Sequence, residues 1–485
     1  MTYTGLNLLR WLLLPMLIVV LASPISKCRT RTIGAAAEYR SLAEAARDAQ
    51  PGDTLLIVDR EHRDESTVDR LRGTAAAWIT VRGIHRDSTS IVGGRGLQFI
   101  DPVYLRIEHV TMIGQESNSI NIDDGGTFDT PAHHIEVREC GFFGTGDATE
   151  NIDLLKMSGV DTFLIENIEM AGGSSGGSGI DMVGCHDGTI RTSIFRSMGS
   201  NAIQAKGGTA RLVIQGNVFA NAGARAINCG GSTGYAFFRP QNAPHEAADL
   251  LVAANVFVGG TTSVAYVGCE RVDVVNNTML YQTRWVARVL QETVDPQRFV
   301  PCRNNSFRNN IVVFDNRITT TLNLGANTAP ETFTFSNNLW YRADDPSRSQ
   351  PVLPVTETGS VIGRDPAVIS MVDLRVDLPE TSPAVGAGLP FPGVTTDLLG
   401  RSFANPPSIG ASEGGRGTTS VDLHGGPYRI HEEASRFMLF SLDGVLLATV
   451  DHPSQLAGVV SGLACQPILA VDRTSAQSRI ITSCH

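Results

Sequence analysis

Leu212-Val-Ile-Gln-Gly-Asn-Val-Phe219 returns as Leu250-Leu-Val-Ala-Ala-Asn-Val-Phe257 and again as Val272-Asp-Val-Val-Asn-Asn-Thr-Met279. Asn310-Ile-Val312 and Asn338-Leu-Trp340 repeat its second half, and Cys140-Gly-Phe142, Asn167-Ile-Glu169, Ser193-Ile-Phe195 are looser copies. A unit of about 25 residues cannot close a globular core alone, so each copy must bury its apolar face on the next. The runs alternate with period two, broken by Gly and Asn, and show no 3.6-residue period. The expectation is an all-β, right-handed parallel β-helix solenoid of three short strands per coil, with equivalent residues stacked about 4.8 Å apart. The repeated asparagines are expected to form a structural ladder at one corner, each amide satisfying turn backbone and its neighbours.

Outward from that core, Ala35 to Asp48 reads as a short amphipathic capping helix with Leu42, Ala45 and Ala46 on one face. Such a helix would cover the open end of the first coil. The first 22 residues carry an apolar run from Trp11 to Ala22 after Arg10, read as a signal peptide; Pro15 and its shortness argue against a membrane span. The solenoid is expected over 33–413, a Gly-rich linker over 414–420, and a small C-terminal β domain over 421–485. In that domain Phe437 to Val450 alternates across Asp443-Gly444 as a hairpin would. Cys465 and Cys484 are candidates for a disulfide, and Cys185, Cys229 and Cys269 for interior positions.

The chain has 485 residues and a net charge of -10, which argues against nucleic-acid or membrane-surface binding. Arginine greatly outnumbers lysine, which occurs only at Lys27, Lys156 and Lys206. Aligning the strands after each turn as Ile120-Asn-Ile-Asp123, Ile152-Asp-Leu-Leu155, Ile180-Asp-Met-Val183, Ile203-Gln-Ala-Lys206 and Ile227-Asn-Cys-Gly230 puts Asn121, Asp153, Asp181, Gln204 and Asn228 in one outward column. Asp153 and Asp181 would then be neighbours about 5 Å apart, and would share a proton, splay into water or bind a cation such as calcium. Lys206 points outward one step along.

Pro51-Gly-Asp-Thr54 and Gly73-Thr-Ala-Ala76 leading to Ile79-Thr-Val-Arg-Gly83 resemble the first coils of bacterial parallel β-helix proteins, including polysaccharide lyases of the chondroitinase B and alginate lyase kind. Ser382-Pro-Ala-Val-Gly-Ala-Gly388, Asp397, Gly400-Arg401 and Ile409-Gly-Ala-Ser-Glu413 resemble the segment that closes such proteins. Gln204-Ala-Lys-Gly-Gly208 ahead of Asn217-Val-Phe219 is similar to the placement of the family's lysine base. The resemblance implies β-elimination on a uronate polymer, with Lys206 as base. The family's downstream Arg-His pair is here Asn228-Cys-Gly-Gly231, so its arginine has no counterpart; Arg225 is the candidate replacement. The C-terminal segment is similar to the sorting domain of type IX secretion substrates, or else is an ordinary accessory β-sandwich.

Two long intervals between asparagine phrases should bulge as loops that wall a groove. The first holds Tyr235, Phe237, Phe238, Arg239, His245 and Glu246, the second Arg284, Trp285, Arg288 and Glu292, and aromatics beside arginine suit sugar stacking and carboxylate binding. The function expected is a secreted or cell-surface protein acting on an acidic polysaccharide, as a lyase. The alternatives are a hydrolase of the polygalacturonase type using Asp123, Asp124, Asp153 or Asp181, and a non-catalytic glycan binder. The Gly-His-Gly and Arg-Ile-Lys phrases of such hydrolases are missing.

Overall fold

The computed structural model describes residues 28–145, 149–371 and 374–414, together with four short strands between 437 and 481. Residues 30–362 wind as a parallel β-helix. Each coil between the two ends contributes one strand to each of three parallel sheets, which with the incomplete end turns have twelve, ten and twelve strands. One coil shows the plan. Asn201–Lys206 lies in the ten-stranded sheet, Thr209–Gln215 in the first twelve-stranded sheet and Val218–Ala220 in the second. Period-two alternation decides what is inside: Ile203, Ala205, Leu212, Ile214 and Phe219 are buried, whereas Gln204, Lys206 and Val213 face out and keep partial exposure. The corner between the first two of these strands is Gly207-Gly208, both at positive φ, where an added Cβ on Gly208 would strike the Arg239 carbonyl.

The asparagine ladder is present and runs in one direction. Ser193 N–H donates to Asn217 Oδ1 (3.0 Å), and Asn217 donates its N–H and Nδ2 to Asn255 Oδ1 (2.9 and 3.0 Å). The same pair of bonds recurs from Asn255 to Asn277, Asn277 to Asn310 and Asn310 to Asn338. Asn338 Nδ2 ends the series on Glu357 Oε1 at 2.6 Å. Beside the ladder, Phe195, Phe219 and Phe257 stack with ring centres 5.0 and 4.8 Å apart. In the coil of Asn167 the ladder slot is filled by buried Ile168, and Asn167 sits one residue early at φ 56.

The capping helix exists but is shorter than expected. α1 spans Leu42–Asp48, capped by Ser41 Oγ, and a strand, Thr30–Ile33, precedes it and pairs with Thr54–Ile57. Leu42 and Ala45 close the end of the core. The last ladder strand is Val361–Ile362. Residues 374–414 then form a strap over the outside of the second twelve-stranded sheet: Val376, Leu398 and Ala411 pack on Val218, Val256 and Val258, and Leu378, Ala384 and Ile409 on Ile311, Val313 and Leu339. The closing segment therefore lies lengthwise, leaving the end of the coil to Glu357 and its neighbours.

Near the C-terminus, Phe437–Ser441 pairs antiparallel with Leu446–Val450 and with Ile468–Asp472, which pairs in turn with Gln477–Ile481. The proposed signal peptide, Cys465 and Cys484, and nearly all of the linker lie outside the described residues.

Candidate functional site

The outward column on the ten-stranded sheet is read from its ladder: Gln98, Asn121, Lys156, Asp181, Gln204, Asn228, Ala265, Arg288 and Asn323 are successive partners. The slot expected for Asp153 thus belongs to Lys156. The strand in that coil is Leu155–Ser158, three residues later than its alternation suggested. Asp153 lies just before it, its carboxylate accepting from Ser178 N–H at 2.8 Å.

This correction assembles a cluster. Lys156 Nζ donates to Asp153 Oδ2 (2.9 Å) and Asp181 Oδ2 (2.8 Å), while Lys206 Nζ stands 3.0 Å from Asp181 Oδ1. The Lys206 contact is an ion pair without good hydrogen-bond alignment, since that oxygen has no aligned donor. The carboxylates are at the back, 1% and 2% exposed, and the ammonium groups in front, with 28% and 20% of their side chains in solvent. Burial alone would lower the Lys156 pKa, but Asp181 and Asp153 together hold it above the ordinary lysine range. Burial, and then the charge on Asp181, raise the pKa of Asp153.

The pair expected to hold calcium therefore has an ammonium between its oxygens, and each of its two negative charges is met by a lysine. Among the described residues no group of three or more His, Cys, Asp or Glu is placed to hold a metal ion. These side chains do not fit a resident calcium, whose six to eight oxygen ligands would have to displace Lys156.

The insertions, 231–246 and 291–305, lie on one flank at the corner leaving the ten-stranded sheet, but Arg284 and Trp285, expected in the second, stand at the corner entering that sheet and Arg288 on the strand Ala287–Leu290, and most of the other residues expected to touch substrate hold the wall together. Arg239 is bidentate to buried Asp124 (2.5 and 3.0 Å) and covers the Phe128 ring. Phe238 is fully buried against Ala243 and Phe299. His245 turns to the other side of the corner, 3.5 Å from Glu270, and burial lowers its pKa. Arg225 is tied to Glu292 (2.6 Å) and Asn228 (3.2 Å). Tyr235 remains exposed, its hydroxyl 3.1 Å from Asp295, beside Phe237 at 62% exposure. Trp285 and Arg288 keep partial exposure, and Arg284 is exposed.

Glu246 pins this wall to the site. It is 1% exposed and accepts Gly207 N–H (2.9 Å), Thr233 N–H (2.9 Å), Thr233 Oγ1 (2.7 Å) and Thr293 Oγ1 (2.7 Å). Both insertions are thereby joined to the residue after Lys206, and Gly231 lies directly over the Lys206 and Gln204 side chains. Lys156 is the site residue that the sequence reading misses, whereas Phe237 and Glu246 lie in the loop expected to wall the groove. The scarcity of lysine was the available signal for Lys156.

No family profile matches the sequence, and no curated protein matches it. Solved structures do. A pectate lyase, Pel9A, shares 12% identity with TM-score 0.48, covering 80% of this chain and 97% of its own. The PL6 family alginate lyase AlyGC shares 14% identity with TM-score 0.39 over 69% of this chain, which spans about half of it (53%). The A-module of the Azotobacter vinelandii mannuronan C-5 epimerase AlgE4 shares 14% identity with TM-score 0.38, covering 66% and 89%. At such values they carry no argument, and the architecture rests on the ladders themselves.

Proposed function

We propose that the protein cleaves a uronate-containing polysaccharide by β-elimination on the outer face of the ten-stranded sheet. The observation that carries this reading is the pair of lysines, Lys156 and Lys206, presented side by side in front of two buried carboxylates. Elimination across C4 and C5 of a uronate needs its carboxylate neutralised and a base at C5. Lys156, held charged by Asp181 and Asp153, supplies the first without calcium. Lys206 is the base once its ammonium, paired with Asp181, has given a proton to water: the free amine then takes the C5 proton as the C4–C5 double bond forms and the C4–O bond breaks, the departing oxygen being protonated from water. Exposed Tyr235 and Phe237 give a rim on which sugar rings stack.

The hydrolase alternative has less support. Of its four aspartates, Asp153 and Asp181 are bound to Lys156 and Asp124 to Arg239, so no pair of unengaged carboxyls faces outward. The reading also places the protein outside the cell, on the strength of residues 1–22, with 421–485 as an export or accessory module.

The test is the ultraviolet absorbance of unsaturated uronate during incubation with pectate, alginate and glycosaminoglycans. Product is expected from one of them and unchanged by chelator. Lys206→Ala should abolish turnover at unaltered substrate affinity. Lys156→Met should lower kcat by about a hundredfold or more, the scale of one lost transition-state contact. Unchanged turnover in Lys206→Ala removes it as base, and a flat trace with every polymer removes the lyase reading.

A further inference from the structure

Four ladder steps beyond Asp181, by way of Gln204, Asn228 and Ala265, the same outward column reaches Arg288. At about 4.8 Å per step that is about 19 Å, the length of several sugar rings. There Trp285 is clasped by two guanidiniums, the Arg284 and Arg288 carbons lying 4.1 and 4.5 Å from its ring centre. Arg225 acts on the same place, and Glu292, bonded to Arg225, is the carboxylate felt there. Arg288 Nε donates to the neutral Asn323 (2.9 Å), and neither Arg284 nor Arg288 forms an ion pair with a described residue. Positive charge is therefore crowded and under-compensated, unlike at the lysine cluster, where each ammonium has a carboxylate. The crowding is felt at Arg288: burial, then Arg225 and Arg284, push its guanidinium below its ordinary value.

We propose that Arg284, Trp285 and Arg288, backed by Arg225, form a distal subsite for a carboxylate or sulfate on the same polysaccharide chain, several rings from the lysines. The inference rests on the polysaccharide reading and narrows it: the ligand is a chain with anionic groups on many rings, not one with an isolated uronate. A planar guanidinium takes either anion through paired N–H bonds, and the Trp285 ring holds the two guanidiniums in place.

Calorimetric titration of the full chain with size-graded polyuronate oligosaccharides, and with a sulfated series, tests it. For chains long enough to span both clusters, Arg284→Gln with Arg288→Gln should weaken binding about tenfold or more, with a shallower salt dependence, while the disaccharide is unaffected. Arg284→Gln alone, at an exposed position, should show part of the effect in a protein whose fold is undisturbed. The series whose affinity falls names the anion. Lys206→Ala should keep the length dependence, so a protein that binds long chains through its arginines yet makes no unsaturated product would sink the lyase reading and leave the subsite standing. Equal losses at every chain length, no loss, or no binding by either series would overturn the subsite.

Discussion

A buried carboxylate without a cation is tolerated only when donors surround it, and Glu246 is such a group. Four neutral donors converge on its two oxygens, from the residue after Lys206 and from both wall loops. In Glu246→Gln the side chain keeps its shape, but the new amide turns its own donors toward two of those four. The expected cost is about 1–2 kcal/mol in denaturant unfolding, because one backbone N–H loses its acceptor in a buried place while the threonine hydroxyl beside it turns to accept from the new amide. Hydrogen exchange should quicken over 231–246 and 291–301 while the strand amides of the first twelve-stranded sheet stay protected. Uniform loss of protection would show that Glu246 supports the coil and not the wall. At this scale the sequence is readable only where a residue is unusual for its chain. Lys156 and Lys206 stand out because lysine is so rare, whereas the tie of Arg239 to Asp124 spans 115 positions and leaves no local mark.

At the scale of strands and corners, what repeats is legible and what is inserted is not. An asparagine that precedes Val, Thr, Ile or Leu in coil after coil is a polar residue in apolar company, and it must be satisfied by its copies. Asn277 accepts twice from Asn255 through one oxygen, and donates to Asn310, Val252 O and Val275 O. Asn277→Ala is therefore expected to lose about 3 kcal/mol or more, since the backbone N–H of Asn255 and one N–H of its side-chain amide, the other still donating to Ile214 O, lose their buried acceptor and the Val252 carbonyl loses a donor. Asn221→Ala, at a partly exposed corner where one bond to Gly260 N–H is made, should cost about 1 kcal/mol. Equal losses would deny the ladder its role. The slip at Asp153 has a plain origin: Ile152-Asp-Leu and Leu155-Lys-Met both alternate, and alternation cannot choose between them. The cap offers a pH-dependent counterpart. His62, 4% exposed between Asp64 and Asp59 (both 3.3 Å), has a pKa held above 6.5, by Asp64 most and then by Asp59, against burial. Its contribution is full below pH 6.5 and is lost as pH rises through the raised folded-state value. Asp64, whose hydrogen bonds from His62, Ser66 and Leu42 outweigh its burial, is held below 3.8, so its contribution appears above pH 3.8 and is lost on acidification through the lowered value. Unfolding followed across neutral pH should show a decline of about 1 kcal/mol that His62→Gln removes. A slope that survives the substitution would place the titrating group elsewhere.

For the whole molecule, a solenoid is a stack of neighbour contacts, and its outer faces need not be covered at all. The second twelve-stranded sheet is covered, with a margin of the first, because Val218, Val256, Val258, Ile311 and Leu339 turn apolar side chains outward beneath the strap and Ala253 and Val275 meet its Val394. One arginine locks that strap. Arg401 gives Nη1 and Nη2 to Asp377 (3.0 and 2.8 Å), Nε to Asp397 (2.8 Å) and Nη2 to Ser412 (2.6 Å), and both carboxylates are about 5% exposed or less. Removing the guanidinium leaves two buried negative charges facing each other, a change that typically costs about 3–5 kcal/mol. Because the strap touches the coils from outside and the ladders do not pass through it, the loss should be local. Arg401→Ala is expected to admit protease within 374–414 and to bind a hydrophobic dye, while the far-ultraviolet signal of the parallel sheets persists to nearly the wild-type temperature. The double variant Asp377→Asn with Asp397→Asn in the same background should restore protection, since it removes the stranded charges. If Arg401→Ala melts strap and coils in a single transition, the strap is part of the cooperative core, and residues 374–414 hold the site sheet in place as firmly as the asparagine ladder does.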